Sequence, residues 1–179
     1  MGDPLVLRLW TGRGIYVLIA CVLIFARLLP LDSSPGGFPA PDLLLAVTLA
    51  WVLRRPEQVP PLLIVAVFLV CDLLFLRAPG IWTLVVLMAT EFLRARQGPA
   101  YDLPFPMEWA LVALVLLAAT LAENMVLSVF MVPTAPIGVA LLNSLVTLLA
   151  YPVGVAALAL GLGLRRAMPG EAGTVGRRL

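Results

Sequence analysis

A chain of 179 residues that is 62% hydrophobic and only 12% charged, with a mean hydropathy of +1.06, carries about half the charge of an ordinary soluble domain. That is too little polarity to cover a folded surface in water, so the composition places the chain in a bilayer. The net charge of +2 is too small to point to a nucleic-acid partner.

The absent residue types exclude more. There is no His and no Lys, and all twelve cations are Arg. Imidazole acid–base chemistry, His metal sites, Ser-His and Cys-His nucleophile pairs, Schiff-base chemistry and a P-loop lysine are therefore ruled out. Cys21 and Cys71 lie within apolar runs and read as buried small hydrophobes rather than as a disulfide or metal ligands. No metal and no cofactor is implied.

Short Pro, Gly and charge clusters divide the chain into six apolar runs, at residues 14–31, 41–53, 59–76, 80–93, 107–132 and 137–164, followed by a short basic tail at 165–179. The expected fold is an all-α integral membrane protein, one domain of six transmembrane helices. Continuously apolar runs such as residues 62–70 argue against a membrane β-barrel, whose strands alternate apolar and polar residues. The first run follows Arg8 and Arg13 as a signal peptide would, but it ends in Arg27, Pro30 and Asp32 without a small-x-small cleavage site, so a retained anchor is expected. The second and fourth runs are short against the roughly 20 residues that cross hydrocarbon upright. In the last, Tyr151-Pro152 predicts a kink.

Orientation follows from the arginines. With both termini cytoplasmic, ten of the twelve fall on the cytoplasmic side, among them Arg54, Arg55, Arg94, Arg96, Arg165 and Arg166, leaving Arg27 and Arg77 opposite. Those six are expected to set topology and touch anionic lipid. Trp10, Trp51, Trp82 and Trp109 lie near run ends, where interfacial tryptophans belong. Glu91 and Glu108 lie at cytoplasmic ends and read as solvated. The small-residue pairs Ala46/Ala50, Ala118/Ala122, Ala157/Gly161 and Ala159/Gly163 permit close helix contact.

Polar groups inside membrane runs are functional candidates. Asp42 opens the second run where an N-cap would sit. Arg27, Asp72, Glu123-Asn124 and the i, i+4, i+8 series Asn143, Thr147 and Tyr151 all map to the non-cytoplasmic half. The preferred reading is a set of interhelical hydrogen bonds with an Arg27–Asp72 or Arg27–Glu123 ion pair. The alternative is a binding cavity open to the outside. No nucleophile, metal-ligand set or phosphate loop accompanies the Asp72 and Glu123 carboxylates, so no enzyme is expected.

Several motifs together carry a resemblance. They are P-D-L-L-L at residues 41–45, Trp51, R-R-P-E at 54–57, D-L-L at 72–74, Pro79-Gly80 and N-S-L-V-T-L-L-A-Y-P at 143–152. With the length, the six runs and the basic tail, they resemble the rod-shape-determining protein MreD of bacteria, in its short proteobacterial form. The chain departs from that pattern in having no glycine at residues 65–71. The resemblance implies an inner-membrane, non-catalytic scaffold of the cell-wall elongation machinery. Its implied partners are MreC, the glycosyltransferase RodA, a class B penicillin-binding transpeptidase and, indirectly, MreB. It also implies a fold similar to the S subunits of energy-coupling-factor transporters. A small-molecule- or lipid-binding transporter subunit of that S-component kind is the alternative function.

Overall fold

The computed structural model describes residues 4–29, 40–96, 104–133 and 136–161. Among them are six α-helices and no strand: α1 (Pro4–Leu28), α2 (Leu43–Arg54), α3 (Pro61–Leu74), α4 (Ile81–Ala95), α5 (Phe105–Val129) and α6 (Ile137–Gly161), with a 3₁₀ turn at Pro56–Gln58 between α2 and α3. The basic tail, with Arg165 and Arg166, lies outside the described residues. Three helical segments, Leu9–Leu28, Phe105–Val129 and Ile137–Leu160, are long and apolar enough to cross a membrane, and Leu43–Arg54 and Pro61–Leu74 are shorter apolar helices.

Prolines set several boundaries, because a residue without an N–H costs nothing in a first helical turn and much inside a helix. Pro56 opens the 3₁₀ turn, and Pro61 and Pro106 occupy the first turns of α3 and α5. At the other end of α3 the chain leaves the helix through Leu76, in the left-handed region at φ +51°. The Leu76 N–H then donates to the Leu73 carbonyl and the Arg77 N–H to the Asp72 carbonyl, the paired bonds of a Schellman termination with Leu where Gly is usual. α5 ends in the same way: Met131 has φ +53°, and the Val132 N–H donates to the Leu127 carbonyl.

α2 sits at the centre. Eight of its twelve residues are buried, including Ala46 and Ala50, and its main neighbours are α6 and α4. This accounts for its shortness, since a helix sheathed by longer neighbours has its polar ends and side chains satisfied by protein rather than lipid. Outward faces are apolar: Leu18, Val22 and Phe25 on α1, Leu62, Leu69 and Leu73 on α3, and Leu142, Leu145 and Leu149 on α6 are all exposed. Large apolar side chains outside with carboxylates and hydroxyls inside is the arrangement expected of a chain solvated by hydrocarbon.

The interior differs from the sequence expectation at several places. Trp51 and Trp82 are buried rather than interfacial, and Trp51 meets Tyr16 edge-on, with ring centroids 5.6 Å apart. Proximity to a helix end does not reveal which face a residue occupies, and α2 has almost no outer face. Cys71 is buried, but Cys21 is exposed on α1. Ala118 and Ala122 are exposed on α5, whereas the packing buries Ala46 and Ala50. At Gly12 a Cβ would collide with the Gln58 side chain. The missing Cβ lets Gln58 lie against α1, where its Oε1 accepts the Trp51 indole N–H at 3.1 Å.

Proline 152 lies within α6, which continues through it. The ring removes the N–H that would have bonded to the Leu148 carbonyl four residues earlier. That carbonyl accepts the Trp109 indole N–H of α5 at 3.1 Å instead. The helix defect thus becomes a tie between α5 and α6. Trp109→Phe should cost about 0.5–2 kcal/mol of stability, read from the unfolding transition of the purified protein. In a Pro152→Ala background, where the carbonyl regains its helical partner, the same substitution should cost measurably less.

Candidate functional site

Polar side chains collect at both ends of the bundle. One end gathers the C-terminal parts of α2 and α4, the N-terminal part of α5 and the 3₁₀ turn. There Arg54 Nη1 lies 3.1 Å from Glu108 Oε1, with the two side chains 6% and 3% exposed. Tyr151 Oη donates to the same carboxylate oxygen. Beside it, Arg94 donates to Glu91 Oε1 at 2.9 Å and to the Pro56 and Val59 carbonyls at 2.8 and 2.7 Å, fastening α4 to the loop that follows α2. The expectation of a solvated residue therefore fails for Glu108, which is buried between α2, α5 and α6. Arg54 likewise turns inward to that carboxylate instead of out to lipid. Glu91 remains partly exposed. Arg55 is half-buried, and Arg96 is exposed over the Phe92 ring at 4.4 Å.

The opposite end joins the C-terminal parts of α1, α3 and α5 to the N-terminal parts of α2, α4 and α6. Asp42 is the N-cap of α2: its Oδ1 accepts the Leu45 N–H at 3.2 Å, while Oδ2 lies 3.3 Å from Arg27 Nη1. Its own backbone N–H donates to Thr147 Oγ1 of α6 at 2.9 Å. The partner of Arg27 is therefore Asp42, not Asp72 or Glu123. A carboxylate at a helix N-terminus already faces the positive end of the peptide dipoles, and the arginine adds a second favourable charge.

Asp72 is fully buried and does a different job. Its Oδ2 accepts the Gly80 N–H at 3.1 Å, the Thr83 N–H at 3.2 Å and the Thr83 hydroxyl at 2.8 Å. Gly80, the N-cap residue of α4 at φ +88°, has no side chain with which to cap its own helix. Asp72 supplies the missing acceptor from α3.

Between these elements lies a cavity of about 490 Å³, lined by Arg27, Asp42, Glu123, Asn124, Asn143 and Thr147 together with Arg77, Trp82, Thr120 and Ser144. Six of the eight residues singled out from sequence thus meet around one space. Asp72 is packed behind it. Tyr151 is two turns further along α6, roughly 12 Å from Asn143, and belongs to the Glu108 cluster: the i, i+4, i+8 series shares a face but not a level. Thr120 and Ser144 share a hydroxyl hydrogen bond that ties α5 to α6, and Asn124 Nδ2 donates to the Thr120 carbonyl at 2.9 Å.

Arg77, which the sequence places at this end but not in the polar cluster, is delivered to the cavity by the Schellman termination of α3, and its guanidinium lies 5.4 Å from the Trp82 ring centroid. Its place five residues after Asp72 was the available signal. The buried Arg54–Glu108–Tyr151 group had none, because its members are far apart in the chain.

No protein-family model, no curated protein and no solved structure matches this chain.

Replacing Asp72 by Ala removes the acceptor shared by three donors and should destabilise the protein by about 1–3 kcal/mol. Asp72→Asn, which retains one acceptor oxygen, should cost clearly less. Denaturant or thermal unfolding of the purified variants in detergent measures both.

Proposed function

We propose that the protein is a non-catalytic, multi-pass scaffold of the bacterial inner membrane, of the MreD kind, that holds wall-synthesis proteins together during elongation of rod-shaped cells. The observation that carries this reading is where the resembling motifs lie. Asp42, Arg54, Asp72, Gly80, Thr147 and Tyr151 all fall within them, and all take part in bonds between elements of the bundle. A scaffold needs a stiff interior and outer faces left to partner helices, and the apolar exteriors of α1, α3 and α6 suit single membrane helices packing from the lipid side.

In this proposal all six helices cross the bilayer. The Arg54/Arg94 end and both termini face the cytoplasm, by the excess of arginine there. The Arg27/Arg77 end faces outward. MreC is the direct partner; RodA and the class B penicillin-binding transpeptidase bind in the same assembly, and MreB is reached through MreC.

Two measurements bear on it. Purification of the tagged protein from its native membrane should recover MreC, and depletion should turn rods into spheres; unchanged shape with no MreC recovered contradicts the scaffold role. For topology, Pro79→Cys in a Cys21→Ser, Cys71→Ala background should react with an impermeant maleimide in intact cells, whereas Glu57→Cys should react only after permeabilisation. The opposite labelling pattern contradicts the orientation.

A further inference from the structure

The cavity at the Arg27/Arg77 end has a charge pattern that the scaffold role does not use. Arg27 is matched by Asp42 at 3.3 Å. The other two charged side chains on the wall, Arg77 and Glu123, have no ion-pair partner among the described residues, although they lie within electrostatic reach of one another. Arg77 rests on the Trp82 ring, which leaves its N–H donors free to point elsewhere. Asn143 contributes a buried Oδ1 that has no hydrogen-bond partner. The cavity therefore presents one uncommitted cation, one uncommitted anion and one uncommitted acceptor, between walls that include Leu116, Leu127 and Val139.

Uncommitted charges in a partly apolar recess are costly, and a ligand that meets both is favoured over one that meets either alone. A simple anion would gain Arg77 but meet Glu123 and Asp42. A simple cation would meet the reverse. A neutral sugar would leave both charges without a close counterion. We propose that this cavity binds a small zwitterion bearing one carboxylate and one ammonium group, an amino acid or a dipeptide. The carboxylate is held by the Arg77 guanidinium, the ammonium by the Glu123 carboxylate, and a further N–H by Asn143 Oδ1. A guanidinium offers the paired donors that a carboxylate accepts side by side. The volume of about 490 Å³ lies within the range of small-molecule sites. The proposal stands apart from the scaffold role and is tested on the isolated protein.

The full chain, purified in detergent, is titrated with the standard amino acids and with alanyl-alanine, following the melting temperature and the heat of binding. A ligand bound only by the folded state raises the transition saturably. At least one zwitterion should do so. Its N-acetyl derivative, which lacks the ammonium, and its methyl ester, which lacks the carboxylate, should each bind at least about tenfold more weakly. Arg77→Gln and Glu123→Gln should weaken binding of the parent zwitterion by a similar factor. Ala140→Leu, which narrows the cavity without touching a charge, should weaken it as well. Because the derivatives are tested on the unmodified protein, the outcome does not depend on any variant folding. The proposal is overturned if no zwitterion binds at about 10 mM, or if acetylated and esterified forms bind as well as the parent. It is also overturned if glycerophosphoethanolamine binds and the amino acids do not, which would make the cavity a lipid-headgroup site.

Discussion

Glu108 is the point on which the bundle closes. Its carboxylate sits at 2% exposure where α2, α5 and α6 meet, and it accepts from both Arg54 and Tyr151. A buried carboxylate of this kind is tolerable only when its charge is matched and its oxygens are bonded. Once those partners are required, the geometry of three helices follows. α2 must bring its last turn beside the first turn of α5, and α6 must present Tyr151 to the same spot. Because α2 is enclosed by its neighbours, these contacts replace the water that its Arg54 end would otherwise need.

The other end repeats the device with different parts. Asp42 and Asp72 are both helix caps, one serving its own helix and the other serving a helix whose cap residue is Gly80. Asp42 also links α2 to α1 through Arg27 and to α6 through Thr147, and Asp72 links α3 to α4 through Thr83. The Leu148 carbonyl, freed by Pro152 and taken by Trp109, belongs to the same economy: a polar group made available by helix chemistry is used between helices, where lipid could not satisfy it. On the cavity wall, Arg77 and Glu123 have no ion-pair partner among the described residues, and the buried Asn143 Oδ1 accepts no hydrogen bond.

Much of this is legible in the sequence, for reasons that also mark where legibility stops. Helix number and approximate bounds follow from hydropathy and from prolines, and the N-cap role of Asp42 follows from its position ahead of an apolar run. The gathering of Arg27, Asp42, Glu123, Asn124, Asn143 and Thr147 around one space follows from counting their depth along successive helices. Depth along a helix, however, carries no information about the face a residue occupies. Hydropathy therefore puts Trp51 and Trp82 at an interface although they are buried, and puts Glu108 and Arg54 in solvent or lipid although they face each other. α1 also begins well before its apolar run, at Pro4, because Arg8 and Arg13 are good helix formers that hydropathy alone discounts. Arg27 pairs with Asp42, while Asp72 is turned to Gly80 and Thr83, tertiary contacts that no local pattern announces.

The buried Arg54–Glu108 contact couples α2 to α5. A double-mutant cycle tests it directly, using Arg54→Met, Glu108→Met and the double variant, with unfolding free energies measured in mixed micelles. Each single replacement strands a buried charge and should cost about 3–5 kcal/mol, while the double variant should cost far less than their sum. Small, additive costs would show that the two groups do not meet inside the bundle and would contradict the account.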